Sequence, residues 1–476
     1  MHGSKNMASN FIFSDIGPLL IPSQGDMVYY RVFGQGILAL GSVKRCHDLF
    51  DKRSSIYSSR PENIMLNKLS GWNFALGSLS YGISWRKHRR AFQQYFNANV
   101  VLNYRPVQLK SAHGLLRQLL KSPDAALTQT LRSSFAEIIM EVVYGYKVAP
   151  MDDPYIKITE CAVTALLQAT KPGKFLDDTF PFLQYIPSWV PGAGFKKLAE
   201  QWRVATMAMV EDPFDWTKSE ITRGTAKPSI VASMLQKISD QPDSDRNEFE
   251  RIMKNAAGIA FAGGTDTTIA AVTCFFLAMA MFPEVQKKAQ REIDSVIGTH
   301  RLPDFSDRDS LPYINAIIKE AMRWQTIVPI NGPHFTTEDD FYEGYFIPKG
   351  TIVLGCTWTI LHDPAIYEDP HEFKPERFIK DGKFDSTILD PYVGIFGYGR
   401  RICPGRYFAD DTAYIMIASI LATFNISAPL DEMGRPKTLV CDMQDGLVSH
   451  PRPFDCVIKS RSSVAMELIQ DPALAL

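Results

Sequence analysis

The chain has 476 residues, 45% of them hydrophobic and 22% charged, with 30 glycines and 30 prolines, which is neither a disordered nor a fibrous composition. Lys plus Arg (51) and Asp plus Glu (52) leave a formal net charge of −1. That balance gives no global attraction to nucleic acid or to an anionic membrane. The seven cysteines are scattered without Cys-x-x-Cys spacing, and the nine histidines show no two-His helical spacing. A disulfide framework and a zinc enzyme are both disfavoured, and the expected setting is reducing.

Over residues 1–24 the apolar patch Phe11 to Pro22 is short and broken by Asp15, Gly17 and Pro18. It predicts neither a signal peptide nor a membrane anchor. Met27 to Phe33 and Ile37 to Leu40 read as a hairpin turning at Gln35-Gly36. The overlapping Gly34-x-Gly36-x-x-Ala39 is a poor dinucleotide fingerprint, because strand residues and not a helix follow it.

From about 85 to 300 the pattern is mostly helical. Trp85 to Phe96, Pro106 to Leu120 and Leu127 to Val143 read as helices, and the Pro- and aromatic-rich Pro172 to Gly194 as loop. Glu248 to Phe282 is the longest helical pattern and Pro283 stops it. Its longest nearly apolar run, Ile269 to Phe282, is too short to span a bilayer and reads as a core helix. Glu284 to Ile297 is amphipathic, with Gly298 as its cap. Pro312 opens a helix that runs to about Thr326. A β-rich stretch follows, with Phe341 to Ile347, a Pro348-Lys349-Gly350 turn and Thr351 to Leu354. Asp363 to Gly399 is rich in Pro, Asp and Gly, and Pro404 to Phe424 is a last long helix. The prediction is one large, mainly α domain with small β-sheets and no flexible linker.

The stretch most informative about chemistry is Phe396-Gly397-Tyr398-Gly399-Arg400-Arg401-Ile402-Cys403-Pro404-Gly405. Glycines let a backbone approach a flat ligand closely. Pro404 suits a first helical position, and a cysteine beside free helix N–H groups is favoured as thiolate. A shielded thiolate in such a loop is a natural axial ligand for iron. Glu320-x-x-Arg323 places two opposite charges on one helix face among apolar neighbours, where burial demands pairing. Ala262-Gly263-Gly264-Thr265-Asp266-Thr267-Thr268 puts two glycines, an acid and hydroxyls inside the longest helix, against helix propensity. Trp85-x-x-x-Arg89 places an indole N–H and a guanidinium on one helix face.

These motifs, in this order, resemble the cytochrome P-450 superfamily of haem-thiolate monooxygenases, over roughly Gly25 to Phe454. The family's Phe-x-x-Gly-x-Arg-x-Cys-x-Gly is met by Phe396, Gly399, Arg401, Cys403 and Gly405. The resemblance implies that Cys403 ligates the iron of haem b and that Arg401, Trp85, Arg89 and the less specific His334 meet its propionates. It implies an ion triad of Glu320, Arg323 and Arg377, the last within Pro375-Glu376-Arg377-Phe378. It also implies that Gly263 and Gly264 make room for oxygen and substrate, with Asp266 and Thr267 as an acid–alcohol pair that delivers protons.

The implied reaction inserts one atom of O2 into a small hydrophobic substrate. Electrons derive from NADPH through a separate NADPH-cytochrome P-450 reductase, because the chain has no flavin or NADPH domain. Non-redox rearrangement or dehydration at a haem-thiolate centre, and non-catalytic haem binding, are the alternatives. The style is that of fungal, microsomal-type members similar to the O-methylsterigmatocystin oxidoreductase-like group, which implies secondary metabolism of terpenoid or polycyclic aromatic compounds. It also implies the cytoplasmic face of the endoplasmic reticulum, although no anchor is expected here. The apolar loop Phe180 to Pro191 is the expected site of a peripheral membrane contact. The expected layout is an N-terminal segment 1–24, a monooxygenase domain 25–459 and a tail 460–476.

Overall fold

The computed structural model describes residues 25–122, 127–149, 152–240 and 242–472. The expected N-terminal segment 1–24 and residues 473–476 of the tail therefore lie outside the described residues. The architecture is mainly helical, with four small, separate sheets among the described residues.

The organising element is the helix Asp243–Met281, 39 residues long and so about 58 Å at 1.5 Å per residue. It is the one helix among the described residues that is long and apolar enough to cross a membrane, yet 78% of its apolar window is buried in the fold. Leu127–Tyr144, Ile83–Phe96, Gly194–Arg223, Ile230–Ser239, Pro312–Trp324 and Arg406–Thr423 pack around it. Two of its glycines mark close helix crossings. A Cβ on Gly258 would lie 2.9 Å from Val210 Cγ2, and one on Gly264 would lie 2.9 Å from Ile139 Cδ1. The backbone stays helical through Gly263-Gly264 because the tertiary packing of the long helix outweighs their poor propensity. The helices Pro154–Ala169 and Gly194–Arg223 bracket the irregular segment that the sequence reads as loop, which holds only the short turn Pro181–Tyr185.

The largest sheet has four strands in the order Met27–Val32, Gln35–Leu40, Ile352–Gly355, His334–Phe335. The hairpin turn is Phe33-Gly34, not Gln35-Gly36: φ is 47° at Phe33 and 86° at Gly34, and Gln35 already pairs with Val32. Phe341 to Ile347 is likewise a second hairpin, Asp340–Tyr342 with Tyr345–Ile347, turning at Glu343-Gly344 with φ of 49° and 85°. Positive φ at both central residues gives the turn whose twist matches the strands.

The last long helix starts at Arg406, with Gly405 before it, so Pro404 stands in the preceding turn and not in the helix. The described part of the tail belongs to the packed body. Val457–Ser460 pairs with Phe424–Ser427, and the helix Ser463–Gln470 buries Ile469 in the main core.

Candidate functional site

A cavity of about 340 Å³ lies between the Cys403 loop and the central helix. The sequence motifs converge on it. Trp85 and Arg89 reach it from the helix Ile83–Phe96, Gly263, Gly264 and Thr267 from the central helix, and Phe396, Arg401, Cys403 and Gly405 from the loop.

The loop is shaped by its glycines. Gly399 has φ of 53°, and a Cβ there would sit 2.1 Å from the Phe50 carbonyl oxygen, a position no other residue can occupy. The Cys403 amide donates to the Phe396 carbonyl at 2.7 Å and folds the loop back on itself. Burial pushes the Cys403 thiol above its ordinary range. The Gly405 and Arg406 amides and the Arg89 and Arg406 charges act in the opposite direction. The helix start thus tempers a desolvation that is the larger effect, and a bound metal cation would deprotonate the thiol outright.

Three guanidinium groups stand at the cavity, and their recorded hydrogen bonds go to backbone carbonyls. Arg401 donates to Ser58, Leu76 and Leu79 carbonyls at 2.7, 3.1 and 2.7 Å, Arg89 to Ile402 at 2.6 Å, and Arg60 to Gly77 at 2.9 Å and to Pro333 at 2.7 Å. Burial pushes Arg60 and Arg89 down to about 10, and burial with Arg60 and Arg89 nearby pushes Arg401 down to about 8. The Trp85 indole Nε1 is buried with no partner. Desolvated cations and an orphan donor facing one cavity call for a ligand with carboxylates. Gly405 lines the same cavity with open space where its Cβ would stand, as does Gly263. A flat group bearing two propionates fits this donor set, and Cys403 lines the same cavity.

Arg60 was not legible in the sequence, since nothing local distinguishes an arginine before a proline. His334 lies outside the cavity lining. It is buried, stacks on Phe50 at 4.0 Å and uses Nδ1 on the Tyr57 carbonyl at 2.6 Å. Burial and then Arg60 hold it well below the ordinary histidine range, so it stands as a neutral ring behind the arginines and not at the cavity wall.

On the central helix, Thr267 and Thr268 line the cavity, and their hydroxyls donate to the Gly263 and Gly264 carbonyls at 3.0 Å. Asp266 does not line it. Its carboxylate turns to His450 Nε2 at 3.0 Å, with Arg132 4.0 Å away. Gly263 and Gly264 differ too: Gly263 faces open space, whereas Gly264 is also held small by Ile139.

Behind the loop, Glu320 and Arg323 are both 0% exposed and joined by two contacts of 2.7 and 2.9 Å. Arg377 joins Glu320 at 3.2 Å, and the Lys374 amide donates to the same carboxylate at 2.8 Å. Arg323 also donates to the Leu361 and Pro370 carbonyls, which ties the helix Pro312–Trp324 to the segment leading to the cysteine loop.

A profile of the family described as Cytochrome P450 matches residues 21–457. The chain is 44% identical over 449 residues to cytochrome P450 monooxygenase COX2 of Coprinopsis cinerea, covering 94% of this chain and 85% of that protein. It is 40% identical over 446 residues to the tryptamine 4-monooxygenase of Psilocybe cyanescens, covering 93% and 87%. Among solved structures, a zebra fish cytochrome P450 with abiraterone superposes with a TM-score of 0.73 at 20% identity, over 92% of this chain and 97% of that one. At that identity the likeness shows the fold.

Proposed function

Since the chain belongs to the cytochrome P450 family and is a haem-dependent monooxygenase supplied with electrons by a separate reductase, we propose the following roles for its residues. Cys403 would hold the haem iron. Arg60, Arg89, Arg401 and Trp85 would hold the propionates. The observation that carries this reading is the trio of desolvated guanidiniums without a carboxylate partner, around the cavity that Cys403 faces. When bound there, haem supplies an iron whose thiolate ligand favours O–O cleavage. The chain's own part is to hold the thiol in a fixed loop, to exclude water with an apolar wall, and to deliver protons. Thr267 lines the cavity, and Asp266, the adjacent residue, relays protons from outside to the hydroxyl that passes them on. Glu320, Arg323 and Arg377 fix the segment behind the loop.

The substrate reading follows from the lining. Leu76, Ile139, Ile259, Ala260, Ile327 and Val328 contribute to it, and among the described residues no carboxylate does. An amine such as tryptamine, for which the Psilocybe relative is named, would find no counter-charge in this lining. A neutral, apolar compound of secondary metabolism, terpenoid or polycyclic aromatic, suits the cavity better. Turnover with an NADPH-dependent reductase against a panel of both classes tests this. A neutral terpenoid or polycyclic product is expected, and turnover confined to amines would contradict the reading.

Access from a membrane surface has its own support. Phe33 on the first hairpin and Phe182, Tyr185 and Trp189 on the loop are exposed, the last three at 64, 79 and 81%, and Phe180 lies 6.2 Å from both Phe33 and Phe182. Phe33, Phe180 and Phe182 thus join two chain segments into one apolar patch, and the same loop exposes a Trp and a Tyr, residues suited to a bilayer interface such as that of the endoplasmic reticulum.

A further inference from the structure

Asp266 is turned away from the cavity, so something must fix where it points. We infer that His450 is the positioning residue for Asp266: its imidazole holds the carboxylate in the orientation from which Thr267 is supplied with protons. This rests on the reading of Asp266 and Thr267 as a proton-delivering pair.

The His450 Nε2–Asp266 Oδ2 distance is 3.0 Å, and the two side chains are 17% and 14% exposed. A carboxylate oxygen accepts, so Nε2 is the donor of this bond. The guanidinium of Arg132 is 4.0 Å away and is already paired with Glu160 at 3.1 Å. His450 is therefore the short, direct donor. A hydrogen bond of this length selects one rotamer of a short side chain that would otherwise have several.

The ring is itself firmly presented. Around it the chain closes into a clasp: the Gln444 amide donates to the His450 carbonyl at 2.7 Å, the Arg452 amide to Asp442 at 2.8 Å, and Met443 bridges Pro451. The neighbouring Ser449 amide donates to the carbonyl of Ile327 at 2.8 Å, and Ile327 lines the cavity. One clasp thus touches the substrate wall through Ser449 and the proton-delivering acid through His450. Adjacent residues give a physical route by which the packing of substrate against Ile327 and the aim of Asp266 are set together.

The test uses the holoenzyme with its reductase and compares His450→Gln, His450→Leu, Asp266→Asn and His450→Leu/Asp266→Asn. Glutamine keeps a donor near the Nε2 position and leucine does not. The readouts are peroxide released per NADPH consumed, with the panel compound that gives most product, and the melting temperature of each variant. His450→Leu should raise the peroxide fraction roughly threefold while the optical substrate affinity changes by less than about twofold, and His450→Gln should stay near wild type. The melting-temperature losses of His450→Leu and Asp266→Asn should fail to add in the double variant, as expected for partners in one bond. An unchanged peroxide fraction in His450→Leu, with a raised one in Asp266→Asn, overturns the role of His450 alone. So does failure of glutamine to rescue, or additive melting-temperature losses. An unchanged fraction in Asp266→Asn as well overturns the acid–alcohol reading itself.

Discussion

At the scale of single residues, Gly399 and Gly405 belong to one motif but do different work, and a methyl group separates them. Gly399→Ala places a Cβ 2.1 Å from the Phe50 carbonyl at positive φ, so the loop must move. A stability loss on the order of 3 kcal/mol is expected, together with loss of bound haem. Gly405→Ala meets no protein atom within 4 Å. Its haem-free form should melt within a degree or two of the wild type, about 0.5 kcal/mol or less, while haem content falls because the methyl enters the space of the ligand. Equal melting losses in the two variants would contradict this assignment. The cationic residues give a second prediction. A charged hydrogen bond contributes about 1.5–3 kcal/mol, so Arg60→Gln and Arg401→Gln should each speed haem transfer to an apo-acceptor protein roughly ten- to a hundredfold. Arg401 was legible from its place in a ten-residue pattern. Arg60 and His450 were not, because Arg60 meets Pro333 and His450 meets Asp266 across more than 180 residues of chain, and neither has a local signature.

At the scale of elements, the helix Pro312–Trp324 carries the Glu320–Arg323 pair at full burial. Glu320→Gln leaves two arginines without their carboxylate, and a loss of about 3–5 kcal/mol is expected in chemical unfolding. Beside this network His362 donates from Nδ1 to the Trp358 carbonyl at 2.9 Å and stacks on Trp358. Burial and then Arg323 push it down to about 3. The unfolded chain, with an ordinary histidine near 6.5, binds this proton more readily than the folded one, so stability falls as pH drops below 6.5. At pH 5 this one group costs about 2 kcal/mol. His362→Phe should therefore show a shallower loss of stability between pH 7 and pH 5 than the wild type, and parallel curves would refute it. Strand and turn reading shows where local pattern fails. Gly36 draws the first turn two residues late because Phe33, at φ of 47°, is an unusual residue for a turn and reads as strand. The parallel pairing of Gln35–Leu40 with Ile352–Gly355 joins residues over 300 apart, which no periodicity encodes.

At the scale of the whole molecule, the helical body was legible because long amphipathic and apolar runs have few alternatives, and the order of the motifs along the chain fixed which family it resembles. The apolar face was only half legible. The loop announced itself by composition, whereas Phe33 joins it through the fold. Sedimentation with phosphatidylcholine vesicles should pull down a fraction of the protein, weakly and reversibly. A Phe33→Ser/Trp189→Ser variant should stay in the supernatant. Equal sedimentation of the two proteins would remove the face from the account of substrate entry.

The central claim is that Cys403 is the thiolate ligand at the heart of this cavity, and the difference spectrum of the reduced, carbon monoxide-bound protein tests it most directly. The wild type should show the strongly red-shifted Soret band of thiolate-ligated haem. Cys356→Ala should keep that band, and Cys403→Ala should lose it. A normal thiolate spectrum in Cys403→Ala would contradict the assignment and the site built around it.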